Sequence, residues 1–222
     1  NTLSKDGTVA LSQWSVSDDG KHLAYSTSTA GSDWQEWRVR NVDTGRNLGD
    51  SLRWVKFSSA AWRRDSSGFY YSRYDAPRSG KKMSGINLNQ KLYFHRLGTS
   101  QSTDELVYHN PDNPKWGYGA SMTEDDRYLI ITIWQGTDRR NRVYYRDLQS
   151  GDADVMKLFD KFDADYSFIG NEGKVFYFRT DLDAPRGRVI AVEIGKPDKV
   201  KEIIPQAAET LRWASHLNNQ LI

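Results

Sequence analysis

The stretch Trp14–Tyr25, WSVSDDGKHLAY, decides the fold. A β-prone run enters an Asp-Asp-Gly turn and leaves it as a second β-prone run. That is the sequence form of a hairpin, since Gly accepts positive φ and Asp accepts backbone N–H bonds. The pattern returns as Ala61–Tyr71 (AWRRDSSGFYY), Ala120–Ile130 (ASMTEDDRYLI) and Tyr166–Tyr177 (YSFIGNEGKVFY). Each copy is followed by another β-run that ends in a polar turn: Glu36–Gly45 (EWRVRNVDTG), Lys91–Gly98 (KLYFHRLG), Asn141–Gly151 (NRVYYRDLQSG) and Gly187–Gly195 (GRVIAVEIG). Taking Gly20, Gly68, Asp126 and Gly173 as the recurring turn position gives a period of about 47 to 58 residues, which with two hairpins per unit reads as β-propeller blades.

The repeat sets the expected organisation. The fold class is all-β, a β-propeller with about four complete four-stranded blades and partial blades at both ends. Blades are expected at roughly 12–58, 59–118, 119–164 and 165–210, with 211–222 starting a further one. Trp213 in Arg212–Ile222 (RWASHLNNQLI) stands where Trp14 and Trp62 stand, and 1–11 looks like the tail of an earlier unit, so the sequence reads as part of a larger propeller. No window holds a helical period; 206–211 has room for one turn.

Composition excludes several classes. The eight Trp and twelve Tyr suit pleated strand faces, and 222 residues suffice to bury a sizeable core. A mean hydropathy of −0.75, with no long apolar run, argues against a membrane span and a membrane partner. Thirty-one basic and 29 acidic residues are interspersed, and the densest basic cluster, 138–142, contains an acid, so a solvated loop is expected rather than a nucleic-acid surface. The absence of cysteine removes disulfides, thiolate metal sites and a cysteine nucleophile, and leaves cytoplasm and periplasm both open.

Catalytic signatures are missing. A Gly-x-Ser-x-Gly elbow does not occur, and the neighbourhoods of Ser51 and Ser121 each lack the second glycine. His22, His95, His109 and His216 show no metal-ligand spacing; His22 and His95 fall in strand runs and are expected on exposed or lightly packed faces. No metal and no cofactor is expected. Asp18, Asp19 and Asp65 are read as turn caps rather than catalytic carboxylates. One connection, 75–90, is longer than a hairpin needs and is expected to be a mobile loop.

Several strings, in order along the chain, resemble the propeller of the prolyl oligopeptidase family: Leu3–Leu11 (LSKDGTVAL), Gly31–Trp34 (GSDW), Val55–Ser58 (VKFS), Ala61–Trp62, Asn87–His95 (NLNQKLYFH), Leu97–Ser102 (LGTSQS) and Asn141–Leu148 (NRVYYRDL). The resemblance implies part of a seven-bladed propeller that covers an α/β-hydrolase domain in serine peptidases cutting short peptides after proline. This segment would lack the catalytic triad, so the catalytic residues would lie in the hydrolase domain. The implied partners are short proline-containing peptides and that hydrolase domain, and the implied role is gating by peptide size.

Substrate-facing positions carry over one by one. The ring that lines the family's pocket two residues before the scissile proline corresponds to Phe57. From the residues alone, Phe57 reads as either a core ring or a ring facing a cavity, the core being favoured. Two further pocket positions, Met and Cys in familiar members, correspond to Gly117 and Thr137 here, implying a roomier or more polar pocket that Tyr118 or Trp134 would fill. The family's gating loop corresponds to 75–90, with Pro77, Ser79, Gly80, Lys81 and Lys82 in it, and Asn89 stands where many members carry His. The alternative reading is a non-catalytic propeller scaffold for protein interactions, although the Gly-His and Trp-Asp pairs of WD-type scaffolds are absent.

Overall fold

The computed structural model describes residues 3–76, 87–151, 154–217 and 220–222. They form four four-stranded antiparallel sheets, each a meander in chain order, and a terminal two-stranded hairpin. The first sheet comprises β1 (Val9–Val16), β2 (His22–Thr29), β3 (Gln35–Asn41) and β4 (Asn47–Val55), and the second β5 (Ala61–Trp62), β6 (Gly68–Arg73), β7 (Lys91–Arg96) and β8 (Glu105–Tyr108). The third holds β9 (Trp116–Met122), β10 (Tyr128–Gln135), β11 (Arg142–Asp147) and β12 (Met156–Phe159). The fourth holds β13 (Tyr166–Glu172), β14 (Val175–Thr180), β15 (Arg188–Glu193) and β16 (Val200–Ile204); β17 (His216–Leu217) and β18 (Gln220–Leu221) make the hairpin. Val9–Leu11 thus lie in the first strand of the first sheet. The single helical turn among the described residues is a 3-10 turn at Gln101–Thr103, and 206–211 is not helical.

The chain divides into two compact units, Asn1–Ser121 and Met122–Ile222. In the first, alternation does the work: Trp37 and Val39 of β3 are buried while Arg38 and Arg40 between them are exposed, as period-2 strand geometry requires. Trp37, Val39, Ala24 and Leu52 pack against Trp62, Phe69, Tyr71 and Tyr93 of the second sheet. The rings meet at tilted and edge angles, with Trp62 and Phe69 centroids 5.0 Å apart. Trp62 Nε1 also donates to the Ser15 carbonyl at 3.2 Å, so the indole is satisfied as well as buried.

The second unit is built the same way. Tyr128, Ile130, Val143 and Tyr145 pack with Phe176, Phe178, Ile190 and Val192. Asn141 is buried and clasps one residue of β13, accepting from Tyr166 N–H at 2.7 Å and donating to its carbonyl at 3.0 Å. The terminal hairpin leans on β13 where Gly170 has no side chain: a Cβ there would lie 2.5 Å from that of His216.

Three of the opening hairpins use one loop. Ser17, Arg63 and Thr123 each accept at their carbonyls from the residue three later, which has positive φ: Gly20 (71°), Ser66 (56°) and Asp126 (54°). Asp19 and Asp65 accept backbone N–H bonds from Lys21 and Ser67, as expected of turn caps, and Asp125 does so from Arg127. The expected alignment of Gly68 with Gly20 needs correction: Ser66 holds the turn position, and Gly68 begins β6. Its glycine serves a different purpose, since a Cβ would sit 2.1 Å from the His95 carbonyl oxygen and 2.8 Å from Phe94.

The expectation of an exposed or lightly packed His95 is also overturned. His95 is fully buried, with Nδ1 2.7 Å from Asp104 Oδ1 and Nε2 2.9 Å from Asp50 Oδ1. Tyr71 Oη donates to Asp104 Oδ2 at 2.6 Å, and Gly98 N–H donates to Asp50 Oδ1 at 2.7 Å. Burial alone would push the imidazolium toward losing its proton, but hydrogen bonds and charge from Asp104 and Asp50 outweigh it and raise the pKa to about 9. Burial likewise works to raise Asp50, and the bond from His95 reverses this and holds it below the ordinary carboxylate value.

The His95 pKa in the unfolded chain is about 6.5, so its contribution is complete below that pH and disappears as pH rises through about 9. The melting temperature of the protein should therefore fall across pH 6.5 to 9, and His95→Asn should remove that slope; equal slopes in both proteins would contradict the assignment. Gly68→Ala should cost about 2 kcal/mol or more, because the clash is with backbone that has no rotamer to change. Equilibrium denaturation showing a loss well under about 1 kcal/mol would contradict the close approach.

Candidate functional site

Non-glycine residues with positive φ are uncommon and point to sites where surrounding structure holds a strained backbone. Three of them gather where β4 leaves the first sheet and β7 enters the second: Trp54 (62°), Phe57 (53°) and Asn89 (61°). The register between β3 and β4 shifts between Gln35↔Val55 and Trp37↔Leu52, a bulge that contains Arg53 and Trp54. The left-handed turn at Phe57 then presents its ring to the outside. Phe57 is 54% exposed, so the favoured core reading is replaced by the outward-facing one.

The backbone beneath that ring is fixed. Lys56 is buried, and its Nζ lies 4.3 Å from the centroid of the Trp34 ring. Trp34 in turn meets Trp54 and Tyr74 edge-on, at 5.9 and 6.0 Å. Tyr74 N–H donates to the Trp54 carbonyl at 2.9 Å, tying the end of β6 to the bulge. Ser58 Oγ accepts from Ser72 N–H at 2.7 Å.

Gln90 links two of the predicted positions. Fully buried, it donates from Nε2 to the Lys56 carbonyl at 2.8 Å and accepts at Oε1 from Tyr118 N–H at 2.7 Å. The neighbours of Phe57 and of Gly117 are thus bridged by one carboxamide. Gly117 is buried on β9. Tyr118, one of the residues expected to fill the pocket, is instead packed away at 1% exposure, its oxygen accepting from Asn110 N–H at 3.1 Å. Burial pushes its hydroxyl up to about 12.

The other predicted residues lie in the second unit or outside the described residues. Trp134 is half-buried on β10, and Thr137 is exposed just after Gly136, which turns the chain at φ 60°. Pro77, Ser79, Gly80, Lys81 and Lys82 fall outside the described residues. The base of their loop is described: Asp75 and Lys91 pair at 2.7 Å, and Asn89 N–H donates to the Pro114 carbonyl at 2.7 Å.

Sequence reasoning missed Gln90, Lys56 and Trp34 as a group, because nothing in a local string shows that Gln90 and Trp34, so far apart, both meet Lys56. The repeated left-handed residues were equally hidden, since Trp and Phe carry no turn signal. Among the described residues no cluster of His, Asp or Glu suits a metal ion, and no helix is long and apolar enough to cross a membrane.

Comparison with known proteins agrees with this architecture. The family model for the prolyl oligopeptidase N-terminal β-propeller domain matches residues 1–221. Prolyl oligopeptidase A of Amanita bisporigera is 37% identical over 93% of the chain, and prolyl endopeptidase of Elizabethkingia meningoseptica 36% identical over 95%. The chain spans about 30% of the length of each. A solved prolyl endopeptidase superposes with a TM-score of 0.88 at 33% identity, over 97% of this chain and 31% of that one. Prolyl oligopeptidase B of Galerina marginata, bound to a 35mer hydrolysis and macrocyclization substrate, superposes at 0.90 with 29% identity, over 98% of this chain and 32% of that one. The four sheets are blades of an all-β propeller, and the chain belongs to the prolyl oligopeptidase N-terminal β-propeller family.

Proposed function

We propose that this chain is the substrate-gating propeller of a prolyl oligopeptidase-like serine endopeptidase that cleaves short peptides after proline. The observation that carries the reading is Phe57: an exposed aromatic ring held in a left-handed turn over a buried Lys56, within a chain of this family. An outward ring on a rigid base contributes contact area to a ligand with little loss of conformational freedom, which suits recognition of an apolar residue near proline. Gly117 is a second proposed substrate-facing position of the same unit, Thr137 and Trp134 are proposed substrate-facing positions of the second unit, and the segment containing Pro77, Ser79, Gly80, Lys81 and Lys82 is the proposed gate. The serine nucleophile, its base and its orienting carboxylate belong, in this reading, to the α/β-hydrolase domain of the parent protein, which holds no position in this segment.

The division of labour follows from these roles. A propeller placed over a hydrolase site admits short chains and rejects folded ones, and closure removes water before acyl transfer. Its contribution to rate comes through positioning and exclusion rather than through a reacting group.

In the native gene product, Phe57→Ala should lower kcat/KM for a short proline-containing peptide by about tenfold, mostly through KM, as removal of one aromatic contact implies. Steady-state kinetics with a chromogenic leaving group after proline measure this. An unchanged kcat/KM would remove Phe57 from the substrate path.

A further inference from the structure

The segment bearing Phe57 is anchored three times from the second sheet, and the deepest anchor is ionic. Asp50 on β4 meets the ring of His95; three residues on, Arg53 N–H donates to Gln101 Oε1 at 3.1 Å and Gln101 Nε2 donates to the Arg53 carbonyl at 3.0 Å. Then the Lys56 carbonyl accepts from Gln90. Gln101 also donates to Tyr71 Oη, which donates to Asp104, so the first two anchors share one network.

Both ring nitrogens of His95 face carboxylate oxygens. A neutral imidazole has one N–H and would turn a bare lone pair on one of them. The protonated ring donates to both. Asp50 Oδ2 is buried without a partner, which leaves the imidazolium as the main compensation for that charge.

We infer that His95 is a positioning residue for the Phe57 site: bonded at each nitrogen to a carboxylate, it holds β4 against the second sheet, and loss of its proton to solvent base slackens Arg53–Phe57. The effect on substrate rests on the reading of Phe57 proposed above, whereas the effect on the segment does not. The groups facing the ring are Asp50 from β4, Asp104 from the end of the 3-10 turn, and Tyr71 from β6. Burial drives the Tyr71 hydroxyl far above its ordinary range, and Asp104 adds to this, so Tyr71 stays protonated across the relevant pH. Arg73, further along β6, is stacked at 4.1 Å on Tyr93. Glu105, beside Asp104, is exposed.

Hydrogen exchange in the full-length native protein tests this, read with the kinetics of a short proline peptide. After correction for intrinsic rates, amides of 50–57 should lose about tenfold or more of their protection between pH 7 and pH 10, while Ala24 and Val39 in the same sheet keep theirs. His95→Gln should show the lower protection already at pH 7 and no further loss at pH 10. If that variant fails to fold, Asp104→Asn replaces it, with the same lower protection of 50–57 expected at pH 7. KM should rise with the same pH midpoint while kcat holds. Equal protection of 50–57 at both pH values would overturn the inference. Protection that falls while KM stays fixed would uphold His95 as the anchor and sink the role given to Phe57.

Discussion

Three charged side chains with no access to water sit at the seam between the first two sheets, and the arrangement of that half of the chain depends on them. Removing an imidazolium and two carboxylates from water is expensive, and their attraction offsets the cost only when the geometry is close and the remaining lone pairs are bonded. Here the distances are 2.7 and 2.9 Å, and Tyr71 and Gly98 supply further donors, which leaves one buried oxygen of the set, Asp50 Oδ2, without a partner. Such a network tolerates few alternatives. A one-residue slip of β4 would carry Asp50 to the other face of its sheet, put Gly49 or Ser51 in its place and leave His95 without one of its two carboxylates. The aromatic packing of Trp37, Trp62 and Phe69 supplies adhesion between the sheets, and the ionic knot fixes which residues meet.

From that seam the order extends to the surface. Gln101 and Gln90 carry it along β4 by bonding main-chain groups rather than side chains, so they hold the backbone whatever residue stands there. The bulge at Arg53–Trp54 and the turn at Phe57 are strained conformations that persist because the surroundings over-determine them. Asn141 clasps Tyr166 with a carboxamide in the second unit. In both units the clasping residue directly precedes the third strand of a sheet.

Much of the fold was legible in the sequence for a physical reason: hairpin loops need positive φ and short acceptor side chains, and Asp19 and Asp65 advertise them. Legibility failed where one residue type serves two needs. Gly68 reads as a turn glycine, whereas Ser66 makes the turn and Gly68 admits the backbone of β7. His95 looked like an ordinary strand residue, because Asp50 lies 45 positions away and strand periodicity says nothing about a buried charge. The candidate site was legible through its resemblance to a family, and Phe57 was ambiguous without it, since an outward ring and a core ring read alike between Lys and Ser. Gln90 gave no signal, because a carboxamide beside a strand reads as solvent-facing.

The proposed role of this propeller is to restrict a proline-cleaving site of the parent protein to short chains. Cleavage of one proline-containing sequence by the native gene product, presented first as a free short peptide and then within the loop of a folded carrier protein, tests it most directly. Gating by size predicts cleavage after proline in the peptide and none in the carrier. Equal cleavage of both, or no cleavage of the peptide, would contradict it.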